Sequence, residues 1–265
     1  MVYIIKLYLM HLRLSIKAGL QFKADFIAAW IANIITYLIY YAQAWILTRN
    51  FPVIGGWTYT EILLLMAMQF VSYAVANTAL YGVSHNMDEY INRGDLDRIL
   101  TRPVNPIFSI VWKEFNWSGI SQIFMSGVFL IYALINNGIV WSIQNKIILL
   151  VSLIGAIILQ CGVFLLFGAA AFWIRRSSSL LQLLFYNFSS FSNYPVTIFG
   201  KTIRILLSTI LPWAYINFYP AAKLLEKDIP GRSLYVLTPV IGCILLFLGV
   251  QAMKYGLSKY ESVGN

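Results

Sequence analysis

Long apolar runs constrain the fold of this chain more than any other feature of its sequence. Each is close to the length of about 20 residues that a helix needs to cross the hydrocarbon core of a membrane. The runs lie at 26–48, 60–82, 119–135, 147–174, 177–194 and 234–253. They are continuous rather than alternating segments of about 10 residues, which disfavours an outer-membrane barrel. We therefore predict an all-α integral membrane protein with six transmembrane helices, the fifth of them marginal because it is rich in Ser and Asn.

The composition agrees with this assignment. Hydrophobic residues make up 60% of the chain and charged residues only 11%, whereas soluble domains carry about 25% charged residues. The net charge of +9 is explained by Lys and Arg beside the membrane spans, so no nucleic acid partner is expected. Cys161 and Cys243 both lie inside apolar runs, and we expect small hydrophobic side chains there rather than a disulfide or a metal pair.

Basic residues predict which side of the membrane each connection faces. Lys6, Arg13 and Lys17 share one face of a helix over 1–23, which is typical of an amphipathic helix lying in the membrane interface. A solvated leader is the alternative. Further cations lie at 175–176 and in the tail. Because cations are enriched on the cytoplasmic side, we predict a multi-pass protein of the cell membrane, inner or plasma, with both termini in the cytoplasm.

One polar segment, 85–106, interrupts the apolar chain, and we call it the polar island. Its charged residues are Asp88, Glu89, Arg93, Asp95, Asp97, Arg98 and Arg102. A segment of this kind must lie in water, and it could be the docking surface through which a membrane domain receives work from a soluble partner. A loop that only ties neighbouring spans together is the alternative.

Capping residues predict short helices within the polar island. Met87–Arg93 is expected to form one helix that Gly94 ends. Asp95 is a suitable N-cap for a second helix, Leu96–Arg102, which the following proline stops. Asn followed by Pro at 105–106 predicts a third helix that leads back to the membrane.

The segment 197–220 is apolar but broken. Gly200, Pro212 and Pro220 interrupt it, and irregular backbone is tolerated at membrane depth only where protein or a water-filled cavity surrounds it. Two short re-entrant helices on the outer side, before the last span, fit this pattern better than a full span.

Polar side chains inside the first two runs are candidates for a substrate pathway. Tyr37 and Tyr41 share one helical face, with Asn33 a turn before them, and Gln69 is an uncharged polar residue of the second run. This face could be the wall of a cavity for an aromatic or cationic ligand. An interfacial aromatic belt or packing against a neighbouring helix is the alternative.

The sequence contains no recognisable site that could supply energy for transport. No run has an acidic, basic or His residue at its centre, which argues against proton- or ion-coupled transport. No phosphate-binding loop, metal cluster or catalytic constellation is present, so neither a catalytic residue, a metal site nor a bound cofactor is expected. A transport function would therefore need a partner that hydrolyses nucleotide.

Two stretches carry a resemblance to a known family. They read NMDEYINRGDLDRILTRPVNP, after the second run, and SNYPVTIFGK…LPWAYINFYPAAKLL, before the last. Both resemble the ABC-2 type permeases, in particular the branch associated with antibiotic and xenobiotic export, and the similarity covers essentially the whole chain. The resemblance implies a single permease domain over 1–265 and a cytoplasmic coupling helix between the second and third spans.

The same resemblance implies partners and the residues that meet them. Two permease chains, identical or paralogous, would pair with two ABC-type ATPase subunits, which bind the ATP and Mg²⁺. The turn Arg175–Ser179 would be a lesser ATPase contact. The main contact residues would be Asp88, Glu89, Tyr90, Arg93, Gly94, Asp95, Leu96, Asp97 and Arg98.

The resemblance also implies an outer re-entrant gate that includes Pro195, Pro212 and Pro220. The function expected from it is an exporter permease for small amphipathic or cationic compounds, because the candidate pathway has aromatic and amide groups without a fixed charge. Two alternatives remain: a membrane anchor or assembly protein that recruits a soluble partner through 85–106, and an importer-type permease.

Overall fold

The computed structural model describes residues 23–102, 104–174 and 176–262, and within these ranges every regular element is a helix. The interfacial helix predicted over 1–23 lies outside the described residues except for its last position. The helices are α1 Lys23–Asn50, α2 Tyr59–His85, α3 Met87–Asn92, α4 Asp95–Leu100, α5 Pro106–Lys113, α6 Gly119–Asn136, α7 Ile143–Ala170, α8 Lys201–Ser208, α9 Phe218–Leu224 and α10 Leu237–Lys259.

Five of these helices are long and apolar enough to cross a membrane: α1, α2, α6, α7 and α10. They occupy the runs predicted at 26–48, 60–82, 119–135, 147–174 and 234–253. The helix in the fourth run, α7, begins and ends about one turn earlier than predicted. The last, α10, begins later and continues beyond the end of its run to Lys259.

The run predicted as the fifth span forms an irregular helix, which we call the compound helix. It comprises an α-helical turn, a π-helical stretch, a second short α-helical turn and a 3₁₀ turn, at Ser177–Leu180, Leu181–Tyr186, Asn187–Ser189 and Ser190–Asn193. Its Ser side chains bond to nearby backbone carbonyls, which competes with regular helical pairing. It is not among the five candidate spans, so six spans are not confirmed.

Helix α2 lies at the centre of the protein. It packs against α6 and α7, and α7 packs in turn along α10. A capping box at Thr58 and Glu61 begins α2, and Lys227 from the connection before α10 pairs with Glu61 at 2.7 Å. The centre of α2 is therefore shielded on most sides, whereas α1 keeps a broad apolar face exposed.

Glycines of α7 allow α10 to approach its backbone closely, because small residues let two helix backbones come together. A Cβ on Gly162 would lie 2.5 Å from the backbone of Leu245, and one on Gly155 would lie 2.8 Å from the backbone of Pro239. Backbone atoms cannot move away as the end of a flexible side chain can. The close approach of α7 and α10 therefore requires glycine at these positions.

The Gly162→Ala variant is accordingly expected to lower the free energy of unfolding by about 1–3 kcal/mol, because the added methyl group forces the two helices apart. Gly127→Ala in α6 is the matched control, since a Cβ there meets nothing within 4 Å. Thermal unfolding of both purified variants measures the difference. Equal unfolding temperatures for the two variants would contradict this packing.

The segment predicted to be re-entrant contains two short helices, α8 and α9, joined through a 3₁₀ turn at Trp213–Tyr215. The segment thus contains two short helices in place of one span, and their re-entrant position on the outer side stays a prediction. Helix α9 extends to Leu224, beyond the end of the broken segment at 220.

Candidate coupling surface and cavity

The polar island consists of α3 and α4 joined at a corner. Gly94 has a φ of 74° there, a conformation that glycine adopts without strain. The prediction that Asp95 is an N-cap is wrong: Gly94 takes the N-cap position and α4 begins at Asp95 itself. Helix α4 ends at Leu100, two positions before the predicted Arg102. Position 103 lies outside the described residues.

The start of α5 agrees with the prediction. Pro106 is its first residue, and the side chain of Asn105 accepts a hydrogen bond from the backbone of Ile107 at 3.0 Å. The chain thus leaves the polar island through a capped helix.

The polar island is packed against the ends of the long helices rather than solvated as a loop. Met87, Tyr90, Leu96 and Ile99 form an apolar cluster, which includes Leu165 and Ala169 of α7 and Met253 of α10. Leu96 is 0% exposed. Two of the predicted partner contacts, the side chains of Tyr90 and Leu96, are therefore placed inside the protein, where they hold the island to the helices.

Asp88 also faces inward and joins the polar island to the compound helix. Its carboxylate accepts hydrogen bonds from the backbone N–H and the hydroxyl of Ser178, at 3.1 Å and 2.6 Å, and from the backbone of Glu89 at 3.0 Å. The residue is only 8% exposed. Its negative charge lies at the N-terminal turn of the compound helix, where carboxylates are stabilised. The structure places this predicted contact residue as an internal anchor.

Glu114, which sequence reasoning did not select, gathers further groups beside the island. It accepts hydrogen bonds from the Tyr90 hydroxyl and, at 3.1 Å, from the Asn86 amide. The Lys113 ammonium lies 4.7 Å from the centre of the Tyr90 ring. These residues line a polar cleft with Glu89, Arg93 and Asp95. No short-range motif indicated this arrangement, because it joins α3 to the end of α5.

Fewer charged side chains of the polar island are exposed than the sequence suggested. Glu89 and Arg93 form an exposed ion pair at 2.6 Å, and Arg98 and Arg102 extend the face. Asp95 and Asp97 are half-buried.

The tail of the chain covers part of Asp97. The Ser262 hydroxyl donates a hydrogen bond to this carboxylate at 2.6 Å. Burial and the neighbouring Asp97 carboxylate raise the pKa of Tyr260. The Asp97 carboxylate is therefore partly covered by residues of the same chain.

A cavity of about 200 Å³ lies between α1, α2, α6 and the compound helix. Of the predicted pathway residues, Asn33, Tyr37 and Gln69 line it. Tyr41 does not; its ring stacks on Phe129 at 3.6 Å, which is the packing alternative. The other lining residues are Thr36, Tyr40, Phe70, Tyr73, Gln122, Phe185, Tyr186, Ser189, Ser190 and Asn193.

The wall of this cavity is aromatic and polar, and the described residues that line it include no charged side chain. Asn33 joins two of its helices, because its amide donates to the backbone of Ser118 and to the hydroxyl of Ser121 and accepts from Gln122. The sequence offered no signal for Gln122 or Tyr186, since they come from runs that gave no distinct pattern. Asn193 lies in the stretch SNYPVTIFGK, but nothing in that stretch marked it as a cavity residue.

A chain of hydrogen bonds connects this wall to the polar island. His85 Nε2 lies 2.8 Å from the Tyr186 hydroxyl, which lies 3.0 Å from the Tyr73 hydroxyl. His85 ends α2 and is the first residue of the polar island, whereas both tyrosines line the cavity. His85 thus lies in a half-buried hydrogen-bond network.

The three prolines predicted for the gate are all buried. Pro195 precedes a 3₁₀ turn, Pro212 precedes another, and Pro220 lies inside α9. Nearby, the fully buried Asn217 donates to the backbone carbonyls of Leu65 and Ser192, at 3.0 Å and 2.6 Å. This bond pattern attaches the broken segment to the second turn of α2 and to the end of the compound helix.

The helices and the polar island together define an all-α, multi-pass membrane protein. Among the described residues, no group of His, Cys, Asp and Glu could hold a metal ion. A sequence model described as ABC-2 family transporter protein matches residues 19–264, so the chain belongs to that family. Its members are membrane components of transporters, and the chain is a permease of this kind. No curated protein and no solved structure matched it significantly.

Proposed function

We propose that this chain is the permease subunit of an ATP-driven exporter that moves small amphipathic or cationic compounds out of the cytoplasm. ATP and Mg²⁺ would bind to separate ABC-type ATPase subunits, and this chain would hold no cofactor. The observation that carries the proposal is the internal link from the polar island to the cavity. The family supports a transport role, and the lack of a charged group at the centre of the spans supports an external energy source.

The ATPase contact in this proposal is the exposed face of the polar island. Glu89, Arg93, Arg98 and Arg102 lie there with both signs of charge, which suits recognition of one partner surface. The buried side chains beneath them make the island a packed body. A push on its surface would therefore move the end of α2 rather than deform a loop.

The compound helix transmits this movement. Asp88 holds its first turn, Tyr186 is bonded to His85 in its middle, and Asn193 lies at its far end in the cavity wall. In the proposed topology the compound helix is the fifth of six crossings, both termini are cytoplasmic, and the segment around Pro195, Pro212 and Pro220 forms the outer gate.

A second permease chain, identical or paralogous, completes the proposed transporter. The apolar residues that α1 exposes, among them Ile27, Ile31 and Ile35, would face lipid or this second chain. Native mass spectrometry of the purified complex measures the number of permease chains directly. We expect two permeases with two ATPases, and a complex with one permease would contradict this part of the proposal.

The double variant Arg98→Glu with Arg102→Glu tests the contact surface. Both side chains are exposed, so the variant should still fold and insert, but reversed charges at an interface oppose the partner. We expect affinity purification of the wild-type chain to recover an ABC-type ATPase and the double variant to lose it. Lys146→Glu, an exposed reversal at the start of α7, is the control. Undiminished recovery with the double variant would contradict the proposed surface.

A further inference from the structure

The cavity between α1, α2, α6 and the compound helix has unpaired hydrogen-bond acceptors in its wall. The side-chain oxygens of Gln69, Gln122 and Asn193 are shielded from solvent and have no hydrogen-bond partner. Gln69 is 3% exposed and Asn193 8% exposed. Buried acceptors without a donor are costly and uncommon, so these three point to a ligand that brings donors.

The network around Asn33 determines how one of these amides is oriented. The Asn33 amide nitrogen donates to the carbonyl of Ser118 at 3.1 Å, and a carbonyl can only accept. The Asn33 oxygen must then accept from the nitrogen of Gln122, at 3.1 Å. The Gln122 oxygen is consequently the group left free, and this acceptor does not depend on an arbitrary amide orientation.

Aromatic rings form the rest of the wall. Phe70 lies 5.1 Å from the Tyr37 ring and 5.3 Å from the Tyr40 ring, and Tyr73 follows it one turn later on α2. Aromatic faces attract cations. No cation of the protein lines the cavity among the described residues, so these faces are open to a cationic ligand.

We propose that this cavity binds protonated amines through their N–H groups. Aromatic rings alone would accept any organic cation, including quaternary ammonium compounds. The amide oxygens require N–H donors, and a quaternary nitrogen has none. The inference rests on the proposed function, in which this cavity contacts the substrate, and narrows the substrate class to amines that carry at least one N–H group when protonated, which excludes quaternary ammonium compounds.

A matched pair of ligands tests the proposal. 2-Phenylethylammonium and its N,N,N-trimethyl analogue carry the same ring and the same charge, and only the first has N–H donors. Equilibrium dialysis against the full chain in lipid nanodiscs, without any ATPase, measures the affinity of each. We expect the primary ammonium to bind about tenfold more tightly, since hydrogen bonds that involve a charged group are among the stronger ones.

Two substitutions locate the effect. Gln69→Leu removes an unpaired acceptor from the wall, and we expect it to abolish most of the preference for the primary ammonium. Gln160→Leu is the matched control, because Gln160 is a fully buried glutamine of α7 whose amide atoms also lack partners, and it does not line the cavity. The control should keep the preference. Asn193→Leu provides a second test of the wall if Gln69→Leu does not fold.

Several results would overturn the inference: equal affinity for the two ligands, tighter binding of the trimethyl analogue, saturable binding of neither, or equal loss in Gln160→Leu. The test is separate from the proposed function. If the amine preference is found but no ATPase is recovered with the chain, the proposed function fails and the ligand class stands. If the ATPase is recovered but the amine preference is absent, the proposed ligand class fails and the proposed function stands.

Discussion

The Asp88→Ala variant is expected to keep the ATPase bound and hydrolysing while transport per ATP falls by about tenfold or more. The carboxylate is buried and bonded to Ser178, so its removal leaves the exposed face of the polar island intact. The first turn of the compound helix would lose its attachment to α3. Because bonds to a charged group contribute about 1.5–3 kcal/mol each, movement of the island would no longer reach the cavity reliably.

Parallel measurement of ATP hydrolysis and amine transport by the reconstituted complex checks this prediction. Asp228→Ala, which removes an exposed carboxylate from the loop before α10, is the control and should behave as the wild type does. Ser178→Ala should lower transport less than Asp88→Ala, since the backbone N–H of residue 178 still reaches the carboxylate. Unchanged transport per ATP in Asp88→Ala would show that the link has no part in coupling.

The Asn217→Leu variant is expected to lower the free energy of unfolding by about 2–3 kcal/mol. Asn217 is fully buried, and its amide bonds to the carbonyls of Leu65 and Ser192. Leucine has a similar volume but no donor, so both carbonyls lose a partner. The broken segment would then be held to α2 by apolar contacts and, further along the chain, by the Lys227–Glu61 ion pair.

Thermal unfolding in detergent, followed by intrinsic fluorescence, measures this loss. Asn187→Leu is the matched control, because Asn187 lies in the compound helix with an exposed side chain. A similar decrease in the free energy of unfolding of both variants would contradict the prediction, because the loss would then not depend on the buried hydrogen bonds of Asn217.

Local features of the sequence were sufficient to predict the long helices and some of the helix ends. Run length located five helices, because a helix that crosses a membrane satisfies its own backbone and depends little on distant residues. Asn105 with Pro106 marked the start of α5 through bonds inside three residues. Gly94 marked the corner of the polar island for the same reason, although its left-handed conformation displaced the predicted cap at Asp95.

Contacts between residues that are far apart in the sequence could not be predicted from local patterns. Asp88 and Ser178 are separated by 90 positions, and nothing near either residue indicates that they meet. The charge of Asp88 therefore indicated an exposed contact, although the carboxylate is turned inward. Tyr37 and Tyr41 share a helical face, but only the packing of Phe129 decides that Tyr41 is covered while Tyr37 reaches the cavity. The Ser and Asn residues of 177–194 predicted a marginal span, but no local pattern indicated the π-helical stretch at Leu181–Tyr186.

ATP-dependent uptake of 2-phenylethylammonium into inside-out membrane vesicles tests most directly whether this permease is an ATP-driven exporter. The interior of such vesicles corresponds to the outside of the cell, so an exporter accumulates its substrate there. We expect accumulation that requires ATP and is lost in the Arg98→Glu, Arg102→Glu double variant. Accumulation without ATP, or ATP-driven uptake only into right-side-out vesicles, would contradict the proposed function.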